Sequence, residues 1–205
     1  MDLSKPPTLL RSLTRKNLTW EISGKPGQIF LTFDDGPIPE VTPVVLQILE
    51  QFNAKATFFC VGDNVEKYPD IYQQILDSGH ATGNHTFHHL NGWKTSVEDY
   101  VKDINKCESL VNSNLFRPPY GRIRPSTIKH LRNDYRIVMW SVLTGDYDKM
   151  LAPDKVLENA IGHTTDGSIV VFHDSLKAAD RLYYALPRFL EHFSQKGFTF
   201  STIPH

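Results

Sequence analysis

Short apolar runs recur along the chain, and glycine, proline or polar residues end each of them. Runs of this length that are rich in β-branched and aromatic residues are typical of buried strands. Three runs predict strands at 28–33, 56–60 and 167–172. Shorter runs predict further strands at 81–84, 115–116, 136–140 and 198–200.

Between these runs, hydrophobic residues recur at helical spacing, and helix start signals precede them. Threonine before proline at 42–43 opens a helix to about residue 52, and a capping box at 95–98 precedes another. Prolines at 69, 125 and 153 mark three further starts. The last predicted helix covers 182–193, where Pro187 is expected to kink or divide it.

Strands that alternate with helices predict an α/β fold with a parallel sheet, and polar groups at several strand ends favour a barrel over an open sheet. The 205 residues suit one domain, which we expect to span residues 28–205. Residues 1–27 contain several prolines and predict an arm without a long helix, packed along the outside of the domain. Trp20 and Ile22 are candidate anchors for this arm.

Composition excludes some classes of function. The chain is 40% hydrophobic and 22% charged, with a formal net charge of -1. Such a charge gives no general attraction to nucleic acid or to an anionic membrane, and it suits a neutral ligand. Cys60 and Cys107 fall in separate elements and are expected to be isolated core thiols, although the sequence leaves a disulfide open. No apolar stretch is long enough for a signal peptide or a membrane span, so the default expectation is a cytoplasmic protein.

Two carboxylates stand where the first predicted strand ends, in the sequence Thr-Phe-Asp34-Asp35-Gly-Pro. Neighbouring strand residues point to opposite sides, so Asp34 and Asp35 are expected to face different partners. Downstream, His85 and His89 have i, i+4 spacing, which on a helical turn places both imidazoles on one face. One carboxylate and two imidazoles suit a divalent metal ion, with the other aspartate left as a base. The alternatives are turn chemistry for the aspartates and solvated or core histidines, and His88 is a competing ligand.

Three further segments end in groups that are able to take part in catalysis. Arg117-Pro118-Pro119-Tyr120 is a rigid loop that can direct a guanidinium and an aromatic ring into a site, or simply a surface turn. The segment from Trp140 to Tyr147 places Asp146 between aromatic residues, and a core strand with a turn would look the same. The apolar run at 167–172 ends in His173, and parallel α/β proteins place catalytic groups at such strand ends.

The order and character of these segments resemble the polysaccharide deacetylases, carbohydrate esterase family four, over roughly residues 28 to 200. The resemblance implies a distorted, incomplete (β/α) barrel of about seven parallel strands, in which 28–205 is the catalytic domain. It implies that Asp34 is the catalytic base and that Asp35, His85 and His89 bind the metal, which leaves His88 outside the site. It also implies that Arg117 orients the base, that the Tyr120 backbone N–H serves the oxyanion, and that His173 is the general acid. Substrate contacts are expected from Pro118, Pro119, Trp140, Asp146 and Tyr147.

The implied activity is metal-dependent removal of acetyl groups from N-acetylated sugars, on chitooligosaccharide or peptidoglycan-type glycans. One divalent ion is expected, zinc first, with cobalt, nickel or manganese as alternatives. The expected partner is an acetylated amino-sugar oligosaccharide or polysaccharide, with no nucleic acid and no membrane span. Two alternatives remain: an acetylxylan or small-amide deacetylase on the same site, and a non-catalytic carbohydrate-binding relative.

One position departs from the family pattern. Leu143 stands where the pattern has an acid that supports the general-acid histidine, so we expect His173 to hold its proton less readily. Asp146 or Asp174 is then the candidate to compensate for the missing carboxylate.

Overall fold

A computed structural model describes residues 6–23 and 26–204 as an α/β protein with a curled parallel sheet. The strands are β1 (Gln28–Asp34), β2 (Ala56–Cys60), β3 (Ala81–Asn84), β4 (Leu115–Phe116), β5 (Arg136–Ile137), β6 (Val142–Leu143), β7 (Ile169–His173) and β8 (Thr199–Phe200). The α-helices are α1 (Thr8–Thr14), α2 (Thr42–Gln51), α3 (Gly62–Lys67), α4 (Pro69–Asp77), α5 (Val97–Glu108), α6 (Pro125–Leu131), α7 (Pro153–His163) and α8 (Ala179–Gln195). A 3₁₀ turn covers Pro119–Gly121.

The sheet order is β5-β4-β3-β2-β1-β7-β6, and β8 pairs with the start of β1. Every pairing between these strands is parallel. Seven strands therefore form an incomplete, half-closed barrel with helices outside it, which confirms the predicted fold class. The carboxyl ends of the strands meet at one rim, where loops carry the polar groups that the sequence singles out.

Successive side chains of each strand point to opposite faces of the sheet, so they pack into two separate apolar clusters. Phe30, Phe59 and Ile169 belong to one apolar cluster inside the barrel. Their strand neighbours, such as Leu31 and Val170, belong to the larger cluster that packs under α2, α7 and α8. Asp34 and His173 continue the inward series of β1 and β7, so both side chains lie on the barrel side at the rim.

The N-terminal arm is more ordered than predicted. It begins with the short helix α1, and residues after this helix pair with the sheet, through bridges of Thr19 to Val138 and of Glu21 to Ser168. Trp20 and Ile22 are buried, as predicted. The helix at residues 8–14 was not predicted, but with 7 residues it does not contradict an arm without a long helix. The Trp20 indole N–H donates to the hydroxyl of Thr14, at the C-terminal end of this helix, and ties it to the sheet.

Three other local predictions need correction. Helix α8 runs through Pro187 without division, because its buried face, which includes Leu186 and Phe189, packs continuously against the sheet. The strand predicted at 136–140 ends at Ile137, because Val138 pairs with the N-terminal arm instead. Helix α3 was not anticipated.

Two absences expected from the sequence can be compared with the structure. Cys60 and Cys107 are buried free thiols, as predicted for core residues. Within residues 6–23 and 26–204, no helix has the length and apolarity needed to cross a membrane.

Candidate active site

Asp34, at the end of β1, is held by a buried arginine. Its neighbour across the strand pair is His173 of β7, in direct register. The Arg117 guanidinium donates to Asp34 Oδ1 at 2.6 Å and to the Thr32 hydroxyl at 2.8 Å. Its remaining nitrogens donate to the carbonyl oxygens of Val138 and Met139. Because Arg117 is fully buried and Asp34 is only 4% exposed, this ion pair fixes the position of the carboxylate.

Asp35, His85 and His89 form a cluster whose ligand atoms all lie within 4.8 Å of one another. Asp35 Oδ1 is 3.1 Å from His89 Nε2 and 3.8 Å from His85 Nε2. The Nδ1 of His85 lies 2.7 Å from the carbonyl oxygen of Arg117, which can only accept, so Nδ1 carries the proton and Nε2 keeps a free lone pair.

The protonation states of Asp35 and His85 suit a metal ion. Burial lowers the pKa of His85 to about 4, so the imidazole is neutral at pH 7. Burial raises the pKa of Asp35, but the hydrogen bond with His89 and the charge of His173 outweigh that effect and hold the pKa below its usual range. A carboxylate and neutral imidazoles are the forms that divalent cations bind, so the three side chains fit such an ion.

The two histidines lie on an irregular loop after β3, so the predicted helical turn is wrong. Thr86 and His89 adopt left-handed backbone angles, with φ of 62° and 55°. Side chains fold this loop, since Asn84 Oδ1 accepts from the Thr86 N–H and the Thr86 hydroxyl accepts from the Leu90 N–H. The imidazole rings still meet, with centroids 5.1 Å apart.

His88, the competing ligand, points away from the cluster. Its Nδ1 lies 2.5 Å from the Oδ1 of Asp103 on α5. The other oxygen of Asp103 accepts the backbone N–H groups of Phe87 and His88. His88 therefore braces the loop, and the side chains that cluster with Asp35 are those of His85 and His89.

Two other residues of the site also have left-handed backbone angles. Asp35 has φ 83° and Tyr120 has φ 61°. Such angles are costly for residues with a side chain, and they persist where surrounding contacts impose them. At Asp35 the conformation breaks the strand alternation, so Asp34 and Asp35 have different partners but line the same cavity.

The loop after β4 is partly as predicted. Tyr120 is exposed, and its hydroxyl lies 3.1 Å from His89 Nδ1. Pro118 and Pro119, which were expected to contact substrate, are buried and do not line the cavity, so that prediction is wrong. They set the turn that presents Tyr120, since the Gly121 N–H donates to the Pro118 carbonyl.

Asp146 was predicted to contact substrate, but it does not line the cavity. It is fully buried, so it does not contact substrate. Its two oxygens accept from His173, one from the ring Nδ1 at 2.8 Å and one from the backbone N–H at 2.7 Å. Burial alone lowers the pKa of His173, but the charge and hydrogen bond of Asp146 outweigh this and raise that pKa to about 9. The expectation that His173 holds its proton less readily is therefore wrong, because Asp146, one of the two residues expected to compensate for Leu143, supports it.

Asp174, which follows His173, is buried beneath the turn formed by Asp34, Asp35 and Gly36. Its Oδ1 accepts from the Gly36 N–H at 3.1 Å, and its Oδ2 accepts from the Thr42 hydroxyl at 2.6 Å. It does not contact His173 through either oxygen, so it supports the turn rather than the imidazole.

A cavity of about 440 Å³ joins these groups. Trp140 and Tyr147 line it, where substrate contacts were predicted, and the Tyr147 ring lies 5.0 Å from the His173 ring. Of the remaining lining residues, Gly121, Arg122 and Lys177 were not predicted to belong to the site, and Leu143 was considered only as a departure from the family pattern. Arg122 follows two residues after Tyr120 and could have been found from the loop, whereas nothing in the sequence marks Lys177. The complete lining is Asp34, Asp35, His85, His89, Tyr120, Gly121, Arg122, Trp140, Leu143, Tyr147, His173 and Lys177.

A partly buried three-donor cluster that borders a cavity, with a carboxylate on one side and a protonated imidazole on the other, defines the class of metal-dependent hydrolases. Sequence comparison then gives the family: the profile described as polysaccharide deacetylase matches residues 21–137. The chain belongs to the polysaccharide deacetylase family.

Relatives with known names agree with this assignment. A peptidoglycan-N-acetylglucosamine deacetylase of Bacillus cereus is 37% identical, over 86% of this chain and 67% of the relative. A chitooligosaccharide deacetylase of Azorhizobium caulinodans is 36% identical, over 75% of this chain and 76% of the relative. The crystal structure of the Bc1960 peptidoglycan N-acetylglucosamine deacetylase superposes with a TM-score of 0.89 at 33% identity, and the match covers 97% of this chain and 95% of that one.

Proposed function

We propose that this protein hydrolyses the acetamide of N-acetylated amino sugars in peptidoglycan-type or chitin-type glycans, with Asp34 as base and His173 as acid. One observation carries the proposal: an aspartate outside the three-donor cluster lies beside it in the same cavity, in register with a histidine. A binding protein needs neither a base nor an acid, so the fixed positions of Asp34 and His173 support a catalytic site.

Asp35, His85 and His89 would hold the divalent ion, and zinc suits one carboxylate and two imidazoles. A bound divalent ion lowers the pKa of water from about 15.7 to about 7 and polarises a carbonyl oxygen. Cobalt, nickel and manganese are the other candidates for this donor set.

Asp34 takes the proton of the attacking water in this proposal. Its Oδ1 is occupied by the Arg117 guanidinium, so the second oxygen is left for the water. The bond fixes the direction of the carboxylate, and a base of fixed position lowers the entropic cost of the transition state.

His173 gives a proton to the departing amine. Asp146 holds its Nδ1, so Nε2 is the nitrogen that can donate into the cavity. A protonated imidazole is needed because an amine anion is a poor leaving group. The backbone N–H of Tyr120 is proposed to donate to the developing oxyanion, a type of contact worth about 3 kcal/mol when one donor is lost.

The sugar is proposed to lie between Trp140 and Tyr147, which border the cavity near His173. Aromatic rings at such positions contact the apolar face of a pyranose ring. The relatives named above act on acetylated amino-sugar polymers, which supports the same substrate class for this chain.

Acetate release from a neutral N-acetylglucosamine tetramer tests the proposal. We expect turnover with one equivalent of zinc, loss of turnover with a chelator, and recovery when metal is restored. His130→Gln, which removes an exposed histidine outside the cluster and the cavity, is the matched control for His89→Gln. Turnover that survives chelation would refute the metal-dependent mechanism, and a folded, metal-loaded protein that binds the tetramer without releasing acetate would support the carbohydrate-binding alternative.

A further inference from the structure

A buried arginine on α8 lies close to the proposed acid but outside the cavity. Arg181 is only 9% exposed, and it does not line the cavity. It is the third residue of α8, at the end of a helix where a positive charge is least favourable. Because arginine is rarely buried without a partner, the contacts of this side chain should explain its position.

The partners of Arg181 are two carbonyl oxygens in two different loops. Its Nε donates to the carbonyl oxygen of Asp146 at 2.7 Å, and its Nη2 donates to that of Lys177. The first loop follows β6 and the second follows β7. Within residues 6–23 and 26–204, no carboxylate lies within ion-pair distance of Arg181. Both charge-assisted hydrogen bonds therefore go to the backbone, and they join the two loops.

The loop that carries Asp146 has another attachment, two residues earlier. The Asn159 amide of α7 donates to the carbonyl oxygen of Thr144. The backbone N–H of Asp146 lies 3.4 Å from the Thr144 hydroxyl, which is long for a hydrogen bond. Arg181 is therefore the side chain that fixes the backbone at Asp146 itself, the residue whose carboxylate holds His173.

The position of this backbone matters because the Asp146 carboxylate makes two hydrogen bonds to one residue. One oxygen accepts from the ring Nδ1 of His173 at 2.8 Å, and the other accepts from its backbone N–H at 2.7 Å. Both bonds require a fixed separation between the Asp146 backbone and β7. Lys177 belongs to the loop that continues from His173, so Arg181 joins the two chain segments that carry this pair.

We propose that Arg181 is a positioning residue for the acid step: it joins the loop after β6 to the loop after β7 and so holds Asp146 against His173. The inference rests on the proposed function, in which His173 is the acid. Arg181 belongs to neither the cavity lining nor the metal cluster, so its effect on turnover passes through Asp146. Arginine suits this role because its planar guanidinium presents neighbouring donors in a fixed geometry.

A double-mutant cycle in kcat tests whether Arg181 acts through Asp146. For a tetramer of N-acetylglucosamine, we expect Arg181→Gln to lower kcat by about tenfold to a hundredfold, because a small displacement of catalytic groups has effects of this size. In the Asp146→Asn background the same substitution should lower kcat by less than about twofold, because the charged hydrogen bond that it supports is already lost. An equal loss in both backgrounds would overturn the inference.

Arg188→Gln is the matched control, since it removes another arginine of α8. Arg188 is exposed, and its guanidinium donates to the Tyr184 carbonyl oxygen within the same helix. This variant should leave kcat unchanged in both backgrounds. Circular dichroism and zinc titration should show an intact fold and metal cluster in each variant. If Arg181→Gln does not fold, Arg181→Lys replaces it in the cycle, because one ammonium keeps the charge without the two-donor geometry, and the same comparison of backgrounds decides.

A spectroscopic measurement separates this inference from the proposed function. In zinc-loaded protein with ¹⁵N-labelled histidine, the Nδ1 proton of His173 reports its hydrogen bond to Asp146 without turnover, and His173→Gln assigns the signal. We expect this downfield proton signal in wild-type protein and Arg188→Gln, and its upfield shift or loss in Arg181→Gln. A wild-type signal in Arg181→Gln would overturn the inference at any value of kcat. Failure of wild-type protein to release acetate from any acetylated sugar would overturn the proposed function instead.

Discussion

Asp146 binds His173 twice, through its ring Nδ1 at 2.8 Å and through its backbone N–H at 2.7 Å. A carboxylate with both oxygens committed to one residue fixes the orientation of the imidazole and stabilises its protonated form. Since Asp146 is fully buried, solvent does not weaken this interaction. The side chain that keeps His173 protonated for the proposed acid step is therefore Asp146, three residues after the leucine at position 143.

The first prediction concerns the pH dependence of turnover. Because the pKa of His173 is raised to about 9, kcat should fall on the alkaline side near that pH as His173 loses its proton. Asp146→Asn removes the negative charge and should move this alkaline limb down by at least about one pH unit. Asp148→Asn, two residues away, is the control. A pH–rate profile whose alkaline limb is unchanged in Asp146→Asn would show that His173 is not the group that titrates there.

The same ion pair should make folding stability depend on pH. The pKa of His173 rises from its ordinary 6.5 to about 9 on folding, so the pair contributes its full stabilisation below about pH 6.5. That contribution is lost as the pH rises through about 9. The free energy of unfolding should therefore fall by on the order of 2 kcal/mol more in wild-type protein than in Asp146→Asn over this interval, since one pKa unit corresponds to about 1.4 kcal/mol. Urea titrations at several pH values measure the difference, and parallel pH dependence in the two proteins would contradict it.

A third prediction follows from the burial of Arg117. Replacing it by methionine leaves Asp34 as a buried carboxylate without its cation, and breaking one partner of a buried pair costs about 3–5 kcal/mol. Arg117→Met should lower the free energy of unfolding by that amount, measured by urea denaturation of the metal-free protein. Arg132→Met, an exposed substitution, should change it by less than about 0.5 kcal/mol. A loss below about 1 kcal/mol for Arg117→Met would show that the carboxylate does not depend on this arginine.

Asp174 gives the fourth prediction. Burial raises its pKa to about 8, although the hydrogen bonds from Thr42 and Gly36 act in the opposite direction, so the group is largely protonated at neutral pH. Asn at this position keeps a neutral acceptor for the Gly36 N–H, whereas Ala leaves that buried donor unpaired, at a cost of about 1–3 kcal/mol.

Because Gly36 follows Asp35, loss of the hydrogen bond between the Gly36 N–H and Asp174 should also weaken metal binding. We expect Asp174→Ala to reduce both stability and zinc affinity, and Asp174→Asn to preserve both within about 1 kcal/mol. Thermal unfolding and zinc titration measure the two effects, with Asp180→Ala on the exposed start of α8 as control. If Asp174→Asn and Asp174→Ala lose stability and zinc affinity equally, a neutral acceptor for the Gly36 N–H is not what supports the turn.

Much of the fold could be predicted because its signals are local. The apolar run before Asp34 and the run before His173 each read as a buried strand, and proline marks the start of α4, α6 and α7. Helix α8 could not be predicted correctly at Pro187, because continuous packing of its buried face depends on residues far away in the sequence.

For the site too, some features could be predicted from the sequence and others could not. Asp34, Asp35, His85 and His89 could be found from their residue types and spacing. The loop conformation of the histidines could not, because side-chain hydrogen bonds from Asn84 and Thr86 replace the helical pattern that the spacing suggests. The choice of Asp146 over Asp174 as the partner of His173 also required the structure, since pairing of β6 with β7 brings two distant segments side by side.

The central claim is that Asp34 lies beside the metal cluster without being one of its ligands. Zinc titration of wild-type protein, Asp34→Asn and His85→Gln, combined with an acetate-release assay of the same samples, tests it most directly. We predict that Asp34→Asn binds one equivalent of zinc with wild-type affinity and releases no acetate, whereas His85→Gln loses both properties. Loss of zinc binding in Asp34→Asn would contradict the account by placing Asp34 among the ligands, and acetate release at the wild-type rate by Asp34→Asn would contradict its role as the base.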